Sequence, residues 1–122
     1  MRTMAKVILA LCISASTLSG KTVVFWQDGF PTLESQAVPQ DTLRKALAAL
    51  QPEFANLNEL SKPDTLLDTE LLVLPYGSAA PVDAWTAILK YLQAGGNLLV
   101  LGGRPLTIPV RAEGNRFVAA PA

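Results

Sequence analysis

The sequence predicts an α/β fold, a three-layer, flavodoxin-like arrangement in which helices cover a parallel β-sheet. Two observations predict this class. Apolar segments of strand length alternate with segments of helical periodicity, and the apolar segments carry almost no polar interruption. Strands that are apolar throughout are typical of parallel sheets, because both faces of each strand are buried there. Four such strands are few for a doubly wound fold, and we therefore expect the sheet to be incomplete.

The predicted strands follow from runs of β-branched, aromatic and aliphatic residues. Thr22–Trp26 is the first, and it ends in the turn-forming sequence QDGFP. A short second strand is expected near Phe54–Leu57. The third and fourth strands, Leu71–Leu74 and Asn97–Leu101, are aliphatic runs that end at turn-forming residues. Beyond them, a hairpin is expected around Glu113–Asn115.

Two amphipathic segments predict the covering helices. The first spans Pro39–Leu50, and the second begins at Pro81 and ends at the glycine cap Gly95-Gly96. Asp83 is expected to cap the N-terminus of the second helix, where a negative charge complements the helix dipole. Each segment has one apolar stripe at helical spacing, formed by Leu43, Ala46, Leu47 and Leu50 in the first and by Trp85, Ile88, Leu89 and Leu92 in the second.

Residues 1–20 are interpreted as a secretory signal peptide. Arg2 and Lys6 precede the apolar segment Val7–Ile13, and small residues follow it up to Gly20. The apolar segment is too short to span a bilayer, which takes roughly 20 apolar residues. We therefore expect a secreted or periplasmic protein whose domain occupies residues 21–122. One interpretation is that this domain is truncated at its C-terminus.

Composition excludes several kinds of chemistry. Cys12 is the only cysteine and lies in the predicted signal peptide, and the chain has no histidine. The mature chain therefore lacks a thiol nucleophile, the commonest general base and the commonest zinc ligand, and we expect neither a metal nor a cofactor. Without Arg2 and Lys6, eight basic residues face ten acidic ones, a net charge of 8 − 10 = −2. This charge excludes a typical nucleic-acid binder, and no basic run predicts membrane binding after signal cleavage.

The candidate ligand-binding site lies at the predicted carboxyl ends of the strands. In open α/β sheets ligands bind at this edge, where the strand order reverses. The loops after the first, third and fourth strands bring six residues to it: Asp28, Tyr76, Ser78, Gly102, Gly103 and Arg104. We expect none of them to be catalytic.

Each of these residues also has a purely structural interpretation. Asp28 and the glycine after it form a common turn pair, and Tyr76 can pack its ring on the loop with its hydroxyl in water. Ser78 can bond nearby backbone amides, and Arg104 can be a solvated surface charge. The glycine pair lets the backbone turn tightly with positive φ.

Known catalytic and cofactor patterns do not fit this edge. A phosphate loop requires a helix directly after its glycines, but the residues after Gly103 do not start one. A hydrolase acting through carboxylates requires two of them about 5–10 Å apart. Asp28 is the first candidate for such a role and Asp83 its possible neighbour, but Asp83 is expected to cap a helix instead.

The segment ELLVLPYGSAAP…AWTAILKYLQAGGNLLVLGGRPL resembles the class I glutamine amidotransferase-like family. The resemblance covers residues 21–110 and is most specific from Leu71 to Gly103. It implies a flavodoxin-like fold, of the catalytically silent type found beside glycoside hydrolase domains in exported bacterial proteins. Active members carry a cysteine nucleophile at the elbow that Gly102 occupies here, and a histidine base later in the chain. Neither residue is present, so the resemblance implies the scaffold without its reaction.

Three functional hypotheses remain open from the sequence. The first is a non-catalytic module of a larger exported protein, whose partners are downstream domains of the same polypeptide, with carbohydrate as a possible ligand. The second is a small secreted protein that binds a polar ligand through the strand-end loops. The third is a hydrolase that uses Asp28.

Overall fold

The computed structural model describes residues 20–120 and is a mixed α/β fold with two sheets. The predicted signal peptide lies outside these residues, apart from Gly20. The strands are β1 (Lys21–Phe25), β2 (Glu53–Ala55), β3 (Thr69–Leu74), β4 (Ala79–Pro81), β5 (Asn97–Val100), β6 (Ile108–Glu113) and β7 (Arg116–Ala119). The helices are α1 (Gln40–Ala46), α2 (Leu57–Leu60) and α3 (Trp85–Gln93). Short 3₁₀ turns lie at Ala48–Leu50, Pro63–Leu66 and Val82–Ala84.

The first sheet has four parallel strands in the order β2-β1-β3-β5. Strand β1 lies at the centre, where Val24 pairs with Phe54 on one side and with Val73 on the other. The predicted parallel sheet and its four strands are confirmed. The apolar runs identified these strands because each central strand is buried on both faces.

Two apolar clusters divide the residues of this sheet between its faces. Val23 and Phe25 of β1 pack with Ile88 of α3, whereas Val24 packs with Leu43 of α1. Adjacent residues of a strand point to opposite faces, so the two helices lie on opposite faces of the sheet. The cluster on the α3 face is the larger and also contains residues of the second sheet.

The second sheet was only half predicted from the sequence. Its antiparallel hairpin, β6 with β7, confirms the expected turn, since Glu113 pairs with Arg116 across a two-residue loop. Its third strand, β4, was expected to be loop, and Pro81 was expected to begin a helix. Instead Ala79–Pro81 pairs in parallel with Ile108–Val110. Alanine and proline rarely favour strands, but β4 is an edge strand, where proline is tolerated.

The helices begin and end differently from their predicted limits. Helix α1 ends at Ala46 and a 3₁₀ turn completes the segment to Leu50. Helix α3 begins at Trp85, four residues later than expected, because Pro81 belongs to β4. Helix α2 was missed, although Asn56 and Glu59 form a capping box with bonds of 2.9 Å in both directions. The spacing of these two residues is the sequence signature of such a cap.

Asp83 does not cap α3, contrary to the prediction. Its Oδ2 accepts a hydrogen bond of 2.8 Å from the backbone N–H of Ala112 in β6. The carboxylate therefore fastens the hairpin to the turn before α3. Among residues 20–120 no helix has the length and apolar character needed to cross a membrane.

Candidate functional site

A short segment crosses the carboxyl edge of the parallel sheet. We call Leu33–Ser35 the strap. Its first residue donates its backbone N–H to the carbonyl of Tyr76 at 3.2 Å and accepts the N–H of Ser78 at 2.9 Å. These bonds form an isolated parallel bridge between Leu33 and Gly77. The strap therefore covers the loops that follow β3 and β5, which is where the sequence predicted a binding site.

Three glycines allow close approaches at this edge: Gly77 and Gly102 to the strap, and Gly103 to Ser78. Gly77, Gly102 and Gly103 all have left-handed backbones, with φ of 63°, 78° and 64°. A Cβ on Gly102 would overlap the hydroxyl of Ser35 and lie 2.7 Å from its Cβ. A Cβ on Gly103 would lie 2.5 Å from the backbone nitrogen of Ser78. The predicted positive-φ turn at the glycine pair is thus confirmed, and the space in front of Gly102 is filled by Ser35.

The strap is also fastened by an ion pair. Arg104 donates from Nε to Oε1 of Glu34 at 3.0 Å and from Nη2 to Oε2 at 2.7 Å. The hydroxyl of Ser78 donates to the same Oε1 at 2.6 Å, and its oxygen accepts the backbone N–H of Arg104 at 2.6 Å. A planar guanidinium and a planar carboxylate match each other in this two-point geometry. Of the predicted site residues, Ser78 and Arg104 are therefore brought into direct contact.

These contacts shift the ionisation of both partners. The hydrogen bonds from Arg104 and Ser78 lower the pKa of Glu34 from 4.5 to about 2. The same carboxylate raises the pKa of Arg104 above its ordinary value. Glu34 is therefore ionised, and the ion pair intact, throughout the physiological range of pH.

The ion pair predicts how stability depends on pH. A carboxyl group whose pKa is lowered by folding stabilises the folded protein only while it is ionised. We expect this contribution to be complete above about pH 5 and to be lost as the pH falls from about 4.5 towards 2. The measurement compares melting temperatures of the protein and its Glu34→Gln variant between pH 7 and pH 2. A difference that stays constant across that range would contradict the assignment.

The hydroxyl of Tyr76 bonds to the protein, so the interpretation that it faces water is wrong. The hydroxyl accepts the backbone N–H of Gln27 at 2.8 Å and donates to the carbonyl of the same residue at 3.2 Å. Its ring packs edge-on against Phe25 and Phe30, with centroids 5.2 and 4.9 Å away. Burial raises the pKa of the Tyr76 phenol. Tyr76 thus holds the loop after β1 and offers no free group to a ligand.

Replacing Tyr76 by phenylalanine tests this role. The change leaves the ring in place but removes the acceptor for the N–H of Gln27. We expect the free energy of unfolding to fall by about 1–2 kcal/mol, the usual effect of leaving a partly buried donor unsatisfied. Urea denaturation measures this difference, and an unchanged midpoint would show that water replaces the hydroxyl.

Asp28, the remaining predicted site residue, is exposed and takes no part in the ion-pair network. It lies in the turn that Gly29 completes with a φ of 82°. This position agrees with the structural interpretation of a turn pair. Asp83, its possible partner in the carboxylate hypothesis, accepts the backbone N–H of Ala112 instead of capping α3.

Sequence reasoning missed the strap and its Glu34. The segment FPTLESQAVP has neither helical nor strand periodicity, and nothing local indicates where it lies. Its partners are 70 and 44 residues away along the chain, at Arg104 and Ser78. No single-sequence signal could have paired them.

A cavity of about 630 Å³ opens at the opposite edge, beside the first residues of the parallel strands. Thr69, Tyr91 and Asn97 contribute to its lining. We place the candidate site at the carboxyl edge instead, because the charged and strained residues converge there.

Among residues 20–120, no group of acidic side chains, cysteine or histidine has the arrangement of a metal site.

Comparison with known protein families, with curated proteins and with solved structures finds no match to this chain.

Proposed function

We propose that this chain is a non-catalytic α/β module of a larger exported protein, with carbohydrate-active domains as partners in the same polypeptide. One observation carries the non-catalytic part: Ser35 fills the space that a nucleophilic side chain on Gly102 would need. A flavodoxin-like scaffold normally leaves this edge open to its ligand. Here the strap closes it.

The strand order supports a flavodoxin-like scaffold of the amidotransferase-like type. In that class the second strand lies outside the first, and the later strands follow on the other side. The order β2-β1-β3-β5 agrees with this rule if β5 is counted as the fourth parallel strand. The elbow of the resemblance, at Gly102, lies two residues after Val100, the last paired residue of that strand.

The unpaired edge of β5 supports the proposals that the sheet is incomplete and that the chain belongs to a larger protein. Within the described residues, β5 pairs on one side only, with β3. Its sequence NLLV has no charged residue, although exposed edge strands usually carry charges or proline that prevent further pairing. Leu99 in this strand is 39% exposed. A further strand or domain of the same polypeptide would cover this edge.

A glutamine hydrolysis assay tests the absence of catalysis. We expect the purified protein to release no ammonia from glutamine. The variant Gly102→Cys supplies a thiol, and we expect it to remain inactive because Ser35 occupies the space of the new side chain and the chain has no histidine base. Hydrolysis of glutamine by the unaltered protein would contradict the proposal.

Detection of the native polypeptide tests the two other parts of the proposal, export and the larger protein. An antibody against residues 21–122 is expected to recognise, outside the cytoplasm of the source cells, a chain much larger than 13.0 kDa. An exported chain of that mass or smaller would contradict the larger protein, and a cytoplasmic chain of any size would contradict export. If the exported chain is no larger than this, the better hypothesis is the small secreted protein that binds a polar ligand.

A further inference from the structure

The ion pair beneath the strap has the composition of a carboxylate-binding site. Three donors converge on the carboxylate of Glu34: Nε and Nη2 of Arg104 and the hydroxyl of Ser78. Both oxygens of the carboxylate are engaged. Paired guanidinium N–H groups of this kind recognise carboxylates through geometry as well as charge.

The Ser78 hydroxyl is positioned mainly by contacts that do not involve Glu34. Ser78 directly precedes β4, and its side chain is completely buried. Its oxygen accepts the backbone N–H of Arg104, which leaves its single proton for the carboxylate. The carbonyl of Ser78 also accepts the N–H of Ile108 in β6. The hydroxyl is thus fixed in position before any carboxylate arrives.

The group that fills this site comes from an exposed segment in an unfavourable conformation. Glu34 has a φ of 57°, in the left-handed region that side chains rarely adopt. Its side chain remains 41% exposed and that of Arg104 70% exposed, so solvent reaches the ion pair. The side chain of Glu34 can therefore exchange its contact with Arg104 for water without disturbing the buried core.

We propose that Arg104 and Ser78 form a binding site for the carboxylate of a ligand, and that Glu34 occupies this site in the closed form shown here. The strap then acts as an internal competitor, which a ligand must displace. An intramolecular group competes at a high effective concentration, so a free carboxylate alone binds the unaltered protein weakly. This inference goes beyond the proposed function and does not depend on export or on further domains.

The test removes the competitor and supplies the ligand group separately. Glycine fits the left-handed backbone of the strap, so Glu34→Gly empties the site without adding strain. Its melting temperature is measured with sodium acetate, with sodium glucuronate, and with sodium chloride at equal ionic strength. At about ten times the dissociation constant, we expect the carboxylate to raise the melting temperature by roughly 6–11 °C. If glucuronate acts at a lower concentration than acetate, the preferred carboxylate is that of a sugar acid.

Two controls assign the effect to this site. The double variant Glu34→Gly with Arg104→Gln, and the unaltered protein, should both fail to respond to acetate. If Glu34→Gly does not melt cooperatively, Glu34→Asn replaces it, since asparagine tolerates positive φ and its side chain is one carbon shorter. The proposal is overturned if the single variant does not respond, if chloride acts as strongly as acetate, or if either control responds equally.

Discussion

Replacing Phe30 by alanine is expected to destabilise the protein by about 3–5 kcal/mol, the range found when a buried phenylalanine is truncated. Phe30 is 6% exposed and lies in the loop after β1. Its ring meets Phe25 of β1 at 5.0 Å, Tyr76 at 4.9 Å and Phe117 of β7 at 5.3 Å. One side chain therefore joins the parallel sheet to the hairpin. Its loss leaves a cavity between them and removes three edge-on aromatic contacts.

Urea denaturation followed by circular dichroism measures the effect of this truncation. Phe54→Ala is the matched control, because the same atoms are removed from a partly buried ring. That ring lies on the edge strand β2, beneath the guanidinium of Arg44 at 4.5 Å. We expect the control to lose clearly less stability than Phe30→Ala. Equal losses would mean that the aromatic junction contributes nothing beyond ordinary burial.

The parts of the fold that the sequence predicts are those whose signal is local. Strands β1, β3 and β5 are continuous apolar runs, and the stripe of α3 repeats at helical spacing. Burial on both faces requires such a run in the central strands β1 and β3, whereas β5 pairs on one side only within the described residues. The glycine pair after β5 was predicted to turn with positive φ for the same reason, since its conformation is a property of the residues themselves.

The parts that were missed depend on distant partners. Strand β4 is made of alanine and proline and exists because β6 lies beside it, about 30 residues along the chain. The strap has no pattern of its own, and Glu34 meets Arg104, 70 residues away along the chain, only through the assembled fold. Of the candidate site, the sequence therefore predicted Ser78 and Arg104 by their place at strand ends, but not the carboxylate that joins them.

Replacing Gly77 by alanine is expected to cost about 2–5 kcal/mol, because two penalties act together. Its φ of 63° is unfavourable for any residue with a side chain, which accounts for about 1–2 kcal/mol. The new Cβ would also overlap the carbonyl oxygen of Leu33 and lie 2.9 Å from Cβ of Ser35. Backbone atoms cannot rotate away as a long side chain can, so the strap itself must move, at a further cost of about 1–3 kcal/mol.

Gly114→Ala separates these two penalties. Its φ of 61° is nearly the same, but no atom lies within 4 Å of the position its Cβ would take. We expect Gly114→Ala to show the backbone penalty alone, so that the difference between the two unfolding free energies measures how tightly the strap is held. Because a displaced strap carries Glu34 away from Arg104, Gly77→Ala should also lose the stability change expected between about pH 4.5 and 2, whereas Gly114→Ala should keep it. If both variants lose equal stability and keep that pH dependence, the strap does not close the edge of the sheet as described.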